Sequence, residues 1–273
     1  MLDSLPFRAI VSDLDGTLLN AHHKIGDFTI ETLEKLAQKG VDIFLATGRN
    51  YPDVKHIISK INLDDAMLIT SNGARTNKLS GEVLSNNFLP ENIALELMNV
   101  SFDDTRICVN SYQGDDWFIN KDIPELKSFH IESGYSYQVV NFTKHHGRQT
   151  EKVCYIAKDP DDLADLEKSV IGKYGSTLQI TRSMPHCLEV MAQGVCKANA
   201  LQELVKLKGY TLDDCIAFGD GLNDFEMLSG VGEGCVMGNA DPKLKEKLPN
   251  NKVIGFNQDE AVAHYLKSLF NIK

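Results

Sequence analysis

Along the chain, short apolar runs alternate with amphipathic stretches. "RAIVSD", "DFTIETLEKLAQKG", "VDIFLATGR", "YPDVKHIISKI" and "AMLITSNG" follow one another as strand, helix, strand, helix, strand. In the first helical stretch Ile30, Leu33 and Leu36 or Ala37 recur at helical spacing and Gly40 ends it, which predicts one face packed on a sheet. Pro52 suits the first turn of the second helix. "VDIFLA" and "AMLIT" are nearly continuous in apolar residues, the pattern of parallel strands covered on both faces.

Between about residue 84 and residue 190 the rhythm changes. Strand-like runs come in adjacent pairs, "RICVNSY" with "DWFIN" and "TLQITRS" with "CLEVMA", mixed with the helical "ENIALELMNV" and "DPDDLADLEKSVIGKY". That is an α+β pattern. After residue 193 the first rhythm resumes with "KANALQELVKLKG", "DCIAFGD", "NDFEMLSG", "GCVMGN", "PKLKEKL", "KVIGF" and "DEAVAHYLKSLF". The reading is an α/β protein whose Rossmann-like parallel sheet core, residues 1–84 and 189–273, is interrupted by an inserted α+β domain, residues 85–188.

Totals narrow the function. A chain of 273 residues suits about two domains, and 42% hydrophobic with 24% charged residues is a soluble globular composition. A net charge of −10 disfavours nucleic acid and anionic lipid as partners. No run approaches a membrane span and "MLDSLPFRAIVSD" lacks a leader pattern, so the expected address is the cytoplasm. Six scattered cysteines, 108, 154, 187, 196, 215 and 235, without a C-x-x-C pair, read as reduced core residues. The pairs His22-His23 and His145-His146 read as exposed loop histidines.

Chemistry gathers at strand ends. Asp13 and Asp15 in "SDLDGT" would share a face if the strand continued past Ser12. "IAFGDGLND" ends another strand with Asp220, Asn223 and Asp224; "IFLATGR" delivers Thr47, Gly48 and Arg49; "MLITSNGA" delivers Ser71, Asn72 and Gly73. In an open α/β sheet the crevice beyond the carboxyl ends of the strands is the ligand site. Taken singly, Asp-Gly and Asn-Gly are ordinary turn formers. "DLDGTLLN" fails as an EF-hand because its glycine comes too early and no glutamate closes the loop, and neither a P-loop nor a G-x-S-x-G elbow is present. Clustered carboxylates repel unless a cation sits among them, and an oxygen-only set suits hydrated Mg²⁺, which implies a phosphate. Lys197, at the start of a helix where the chain re-enters the first domain, is the candidate fixed cation, although a lone lysine is usually solvated surface.

These four motifs in order resemble the haloacid dehalogenase (HAD) superfamily of aspartate-nucleophile phosphatases: "DLDGT", Thr47 in "ATGR", Lys197 and "GDGLND". "TSNGAR", "CLEVMAQGV" and "AVAHYL" extend the likeness to its Cof-type group with a large α+β (type IIB) cap, nearest to bacterial pyridoxal-phosphate and sugar-phosphate phosphatases. The resemblance implies that Asp13 is the nucleophile and that Asp15, holding a proton, is the general acid and then the base. It implies Mg²⁺ on Asp13, the Asp15 carbonyl and Asp220, with Asp224 acting behind them. A phosphate cradle of Thr47, Lys197, Asn223 and the N–H groups near Leu14 and Gly48 follows as well. Arg49 and Asn72 are possible substrate contacts, and Tyr112, Trp117 and Phe118 either stack on a flat ring or belong to the core. The expected substrate is a small phosphorylated metabolite and the expected assembly a monomer or weak homo-oligomer. A phosphomutase or phosphotransferase using the same aspartyl-phosphate, and a non-catalytic metabolite-binding regulator, are the rival readings.

Overall fold

The computed structural model describes residues 5–63, 65–130 and 133–272. Residues 1–4, the start of the segment read for a leader, lie outside them. The elements run β1 Ala9–Ser12, α1 Asp27–Gln38, β2 Asp42–Ala46, α2 Tyr51–Ile57, β3 Met67–Thr70, β4 Arg75–Lys78, β5 Val83–Asn86, α3 Glu91–Met98, β6 Ile107–Gln113, β7 Asp116–Ile119, α4 Pro124–Phe129 and β8 Gln138–Val139. They continue as β9 Thr150–Ala157, α5 Ala164–Tyr174, β10 Leu178–Met184, β11 Cys187–Ala192, α6 Lys197–Lys208, β12 Cys215–Gly219, α7 Phe225–Gly230, β13 Glu233–Val236, α8 Pro242–Lys247, β14 Lys252–Val253 and α9 Ala261–Leu269. Among these residues no helix is long and apolar enough to cross a membrane.

One sheet has the order β14-β13-β12-β1-β2-β3-β4-β5. It is parallel from β14 to β3, and the hairpin strands β4 and β5 add an antiparallel edge. The central strands are apolar throughout because helices cover both faces: Ala9, Ile10, Val11, Phe44, Ile216 and Phe218 are all fully buried. Ser12 pairs with Phe218 on one side and Leu45 on the other, so β1, β12 and β2 end level. The strand-end clusters at residues 13, 47, 71 and 220 therefore lie along one edge. Helix α1 packs through Leu33 and Leu36 as its spacing predicts, but its buried stripe runs through Thr29 and Thr32 while Ile30 and Ala37 are only half-buried. The threonines can be buried because Thr29 binds the Glu260 carboxylate at 2.7 Å and Thr32 donates to the Phe28 carbonyl at 2.8 Å.

The second sheet has the order β10-β11-β9-β6-β7-β8. Both predicted hairpins are present, β6 with β7 and β10 with β11. Between them runs β9, "TEKVCYIA", which the pairing pattern did not reveal. The boundaries expected at 84/85 and 188/189 fall inside β5 and β11. On one face Val109, Val153, Tyr155, Leu188 and Val190 pack with Leu97, Leu166 and Val170 of the covering helices α3 and α5. By strand alternation the other face carries Tyr112, Lys152, Cys154 and Glu189, which are paired with or next to one another across β6, β9 and β11.

Two sequence expectations change here. His145 and His146 are half-buried rather than exposed, stacked at 4.5 Å, with His145 also 4.4 Å from the ring of Phe118. "KVIGF" forms only a two-residue strand, β14. The aromatics take the core side of their alternative: Trp117 is buried between the rings of Tyr112 and Tyr135, with centroids 5.6 and 5.5 Å away. All six cysteines are free and five are buried. Phe44, at the centre of the parallel sheet, sets a test of this core: Phe44→Ala should lower unfolding free energy by about 3–5 kcal/mol, read from denaturant midpoints.

Candidate active site

Strand geometry ends at Ser12, and this separates the two aspartates. Asp13 keeps an extended backbone and donates its N–H to the Phe218 carbonyl at 3.0 Å, which pins it between β1 and β12. The chain then turns at once through Leu14–Leu18, with Gly16 at φ +75°. As a result the Asp13 and Asp15 carboxylates do not share partners.

Asp13 faces Lys197. The lysine is the first residue of α6 and fully buried, and its Nζ donates at 2.6 Å both to Asp13 Oδ1 and to Asp224 Oδ1. An ammonium with no solvent is stable only among anions, so the carboxylates hold its pKa above the ordinary value in spite of burial. The other oxygen of Asp224 accepts the N–H groups of Asp220 and Gly221 at 3.0 and 2.9 Å. That leaves Asp224 as the brace for Lys197 and for the loop after β12. Asp220 lies alongside, accepting from Thr17 Oγ1 at 2.7 Å.

Asp13, Asp220 and Asp224 can each turn one oxygen toward a common point, with those oxygens within 4.8 Å of one another. One lysine does not balance three clustered carboxylates, two of them buried and Asp220 half-buried. Burial first, and then the Asp224 charge, push the Asp220 carboxyl up to about 7; burial and both neighbours likewise raise Asp13, against the pull of Lys197. An all-oxygen set with surplus negative charge fits a hard divalent cation such as Mg²⁺. The Asp15 carboxylate stands outside this group; the resemblance implies only its backbone carbonyl there.

Asp15 is clamped by Arg49, whose Nε and second terminal nitrogen each donate at 2.6 Å to its two oxygens, and His23 Nδ1 lies 3.6 Å away. Burial raises this carboxyl, but the Arg49 and His23 contacts outweigh it and hold it well below the usual range. These contacts favour the ionised form of Asp15, whereas the resemblance implies an acid that holds a proton. Arg49 is itself held by Asp53, at 2.6 Å, and His130 Nδ1 lies 3.0 Å from the other Asp53 oxygen.

The remaining predicted residues join this edge through one network. Thr47 Oγ1 accepts the Arg49 N–H at 3.1 Å, and the Thr47 carbonyl accepts the Asn72 N–H at 3.0 Å. Asn223 Nδ2 donates to Asn72 Oδ1 at 2.9 Å, and Gly48 packs 3.2 Å from that oxygen by its would-be Cβ. The Leu14 side chain is buried in the core beneath. Sequence reasoning missed Asp53, Lys152 and Glu189, although the last two were visible as charges inside apolar strands, "TEKVCYIA" and "CLEVMA".

A family profile described as haloacid dehalogenase-like hydrolase matches residues 10–266. The chain belongs to that family. A Haemophilus influenzae protein provisionally named a phosphatase is 54% identical over 98% of this chain and 99% of its own. A Shigella boydii protein named HMP-PP phosphatase is 39% identical over 95% of this chain and 98% of its own. Among solved structures, a HAD subclass IIB sugar phosphatase superposes with a TM-score of 0.82 at 25% identity, covering 96% of this chain and 98% of that one. The family, the α/β class and the enzyme class, a phosphatase, expected from the four motifs are thus borne out.

In this hydrolase Gly16 has a positive φ and a Cβ there would lie 2.2 Å from Asp220 Oδ2. Gly16→Ala should displace Asp220 and lower turnover by about 100-fold or more, with far-UV dichroism unchanged. Phosphate release near the wild-type rate would show that Asp220 is not held in place by that contact.

Proposed function

We propose that this hydrolase is a Mg²⁺-dependent phosphatase of small phosphorylated metabolites, pyridoxal phosphate and sugar phosphates among them, acting through an aspartyl-phosphate on Asp13. The observation that carries the reading is the buried Asp13 carboxylate at a strand end, facing the fixed cation Lys197 inside a group of oxygen ligands. The names of the relatives support the substrate class, and add HMP-PP to the compounds worth assaying. We place the enzyme in the cytoplasm, as a monomer or weak homo-oligomer, with residues 85–188 as a cap over a core of 1–84 and 189–273.

In this reading an Asp13 oxygen attacks phosphorus in line, the ester P–O bond breaks, and Asp15 gives its proton to the leaving oxygen. Water then attacks the aspartyl-phosphate, Asp15 takes the proton back, and the bond to Asp13 breaks to release inorganic phosphate. Lys197, Thr47, Asn223 and the N–H groups near Leu14 and Gly48 hold the phosphoryl oxygens. Asp13, Asp220 and the Asp15 carbonyl would hold Mg²⁺, braced by Asp224, and the ion would supply charge neutralisation to the phosphoryl group. Arg49 gives Asp15 two protonation states: while paired with Arg49 it is ionised, the form that accepts a proton from water. A phosphoryl dianion that draws Arg49 to itself leaves Asp15 beside an anion, and its pKa rises toward the form that donates.

Asp13→Asn, nearly isosteric, should lower kcat by at least about 10³-fold while leaving the thermal midpoint close to wild type, measured by phosphate release and scanning calorimetry. Wild-type turnover in that variant removes Asp13 from the nucleophile role. The metal site has a pH signature. Because the folded-state Asp220 carboxyl is raised to about 7 from an ordinary 3.8, it favours the fold below that ordinary value, and this contribution disappears as pH rises through about 7. Mg²⁺ binds the ionised form, so it should raise the thermal midpoint over that in chelator more at about pH 8 than at about pH 5. An equal gain at both values, or none, sinks the metal assignment.

A further inference from the structure

The turn after β3 is strained and is held by the second sheet. Ser71, Asn72 and Gly73 have φ of +49°, +57° and +102° in succession, a left-handed run that asparagine and glycine tolerate and that is unfavourable for Ser71. Such a turn persists where its surroundings over-determine it. Here two buried carboxylates of the second sheet do so. Ser71 Oγ donates to Glu151 Oε2 at 2.5 Å from β9, and Asn72 Nδ2 donates to Glu189 Oε2 at 2.8 Å from β11. The Lys152 ammonium, which neutralises Glu189, reaches past it to the Gly48 carbonyl at 2.7 Å.

The turn in turn fixes the loop after β2. The Thr47 carbonyl accepts the Asn72 N–H, the Gly48 carbonyl accepts Lys152, and the Arg49 carbonyl accepts the Ser71 N–H at 2.8 Å. A trans peptide is rigid and its C=O and N–H point opposite ways, so tying the Thr47 carbonyl to the turn aims the Gly48 N–H away from it. Asn223 is fixed by the same side chain, through its bond to Asn72 Oδ1.

We propose that Glu151, Lys152 and Glu189 are positioning residues that hold the Ser71–Asn72 turn, and through it the Thr47–Arg49 loop and Asn223, in the phosphate-binding arrangement. The proposal rests on the phosphatase reading. It means that seating the second sheet on the strand-end loops completes the phosphate cradle as well as covering the site.

A merely recognitional role for these residues would act on the organic part of the substrate; a positioning role acts on phosphate itself. The test uses the full chain with Mg²⁺ and two probes, acetyl phosphate turnover and binding of inorganic phosphate by calorimetry. Lys152→Met with Glu189→Leu removes both charges together and so leaves no unpaired ion in the interior. Asn72→Gly keeps both charges, cuts the link and accepts the left-handed φ. Each should lower kcat/KM for acetyl phosphate and the affinity for inorganic phosphate in parallel, by about 10- to 100-fold. In the Asn72→Gly background the paired substitution should add less than its effect alone, because the Glu189 connection is already cut and only the bond from Lys152 to the Gly48 carbonyl remains to be lost.

The proposal is overturned if the folded variants stay within about twofold of wild type on both probes, or if the two losses multiply. If the paired variant does not fold, the Asn72→Gly measurement decides alone. A wild-type enzyme that binds phosphate but does not hydrolyse acetyl phosphate defeats the phosphatase reading, and the binding comparison still judges the positioning role.

Discussion

The buried ammonium of Lys197 is the constraint around which the site is arranged. A lysine without solvent can exist in the fold only if carboxylates meet it at hydrogen-bond distance, and Asp13 and Asp224 do so at 2.6 Å each. Asp13 directly follows β1 and Asp224 stands at the start of α7 beyond the neighbouring strand β12, so the lysine at the start of α6 bonds across the seam between them. Asp224 in turn holds the Asp220 backbone. Removing the cation would leave three acids facing one another with no fixed charge between them. Such a group is costly as structure and useful as a site, since its surplus negative charge is what a divalent ion and a phosphoryl group together would neutralise.

A second cation accounts for the difference between Asp13 and Asp15. Identical side chains two residues apart acquire opposite tendencies because the backbone turns between them: one carboxyl is pushed up by burial and like charge, the other is held down by a bidentate guanidinium. Arg49 is also positioned from behind by Asp53. In the proposed mechanism the acid and base roles of Asp15 thus depend on which anion Arg49 pairs with, and a substrate phosphate is an anion of the right kind to compete for it.

The sequence made legible whatever depends on periodicity and on strand ends. Continuous apolar runs in "RAIVS" and "VDIFLA" require burial on both faces, and parallel strands that end level bring residues 13, 47, 71 and 220 to one edge without further information. What was not legible depends on side-chain direction and on partners distant in sequence. The spacing of Asp13 and Asp15 pointed to a shared face, and only the turn at Leu14–Leu18 shows that they part. The stripe of α1 shifts onto Thr29 because Glu260, far along the chain, satisfies that hydroxyl. The central strand β9 was missed because Glu151 and Lys152 break its apolar pattern, and they do so for a reason that lies outside the strand.

That reason bears on how the two sheets depend on each other. The second sheet spends one face on an apolar core with α3 and α5, and its opposite face carries charges that no isolated sheet would bury. Glu151 is pushed by burial to about 6 and accepts from Ser71; burial raises the Glu189 carboxyl, but Lys152 outweighs it and draws it below its ordinary pKa. Each of these groups makes a hydrogen bond to an atom of the strand-end loops, and the turn that the two carboxylates meet, Ser71–Gly73, is left-handed throughout. Neither side is a stable solution without the other: the charges need the loop amides, hydroxyls and carbonyls, and the left-handed turn needs the carboxylates. A contact made of such mutual needs is specific in register, since displacement of the sheet would strand a buried charge. It therefore favours one seating of the second sheet over the strand ends, the seating in which the Thr47–Arg49 loop has its carbonyls tied back and its Gly48 N–H turned away from the turn.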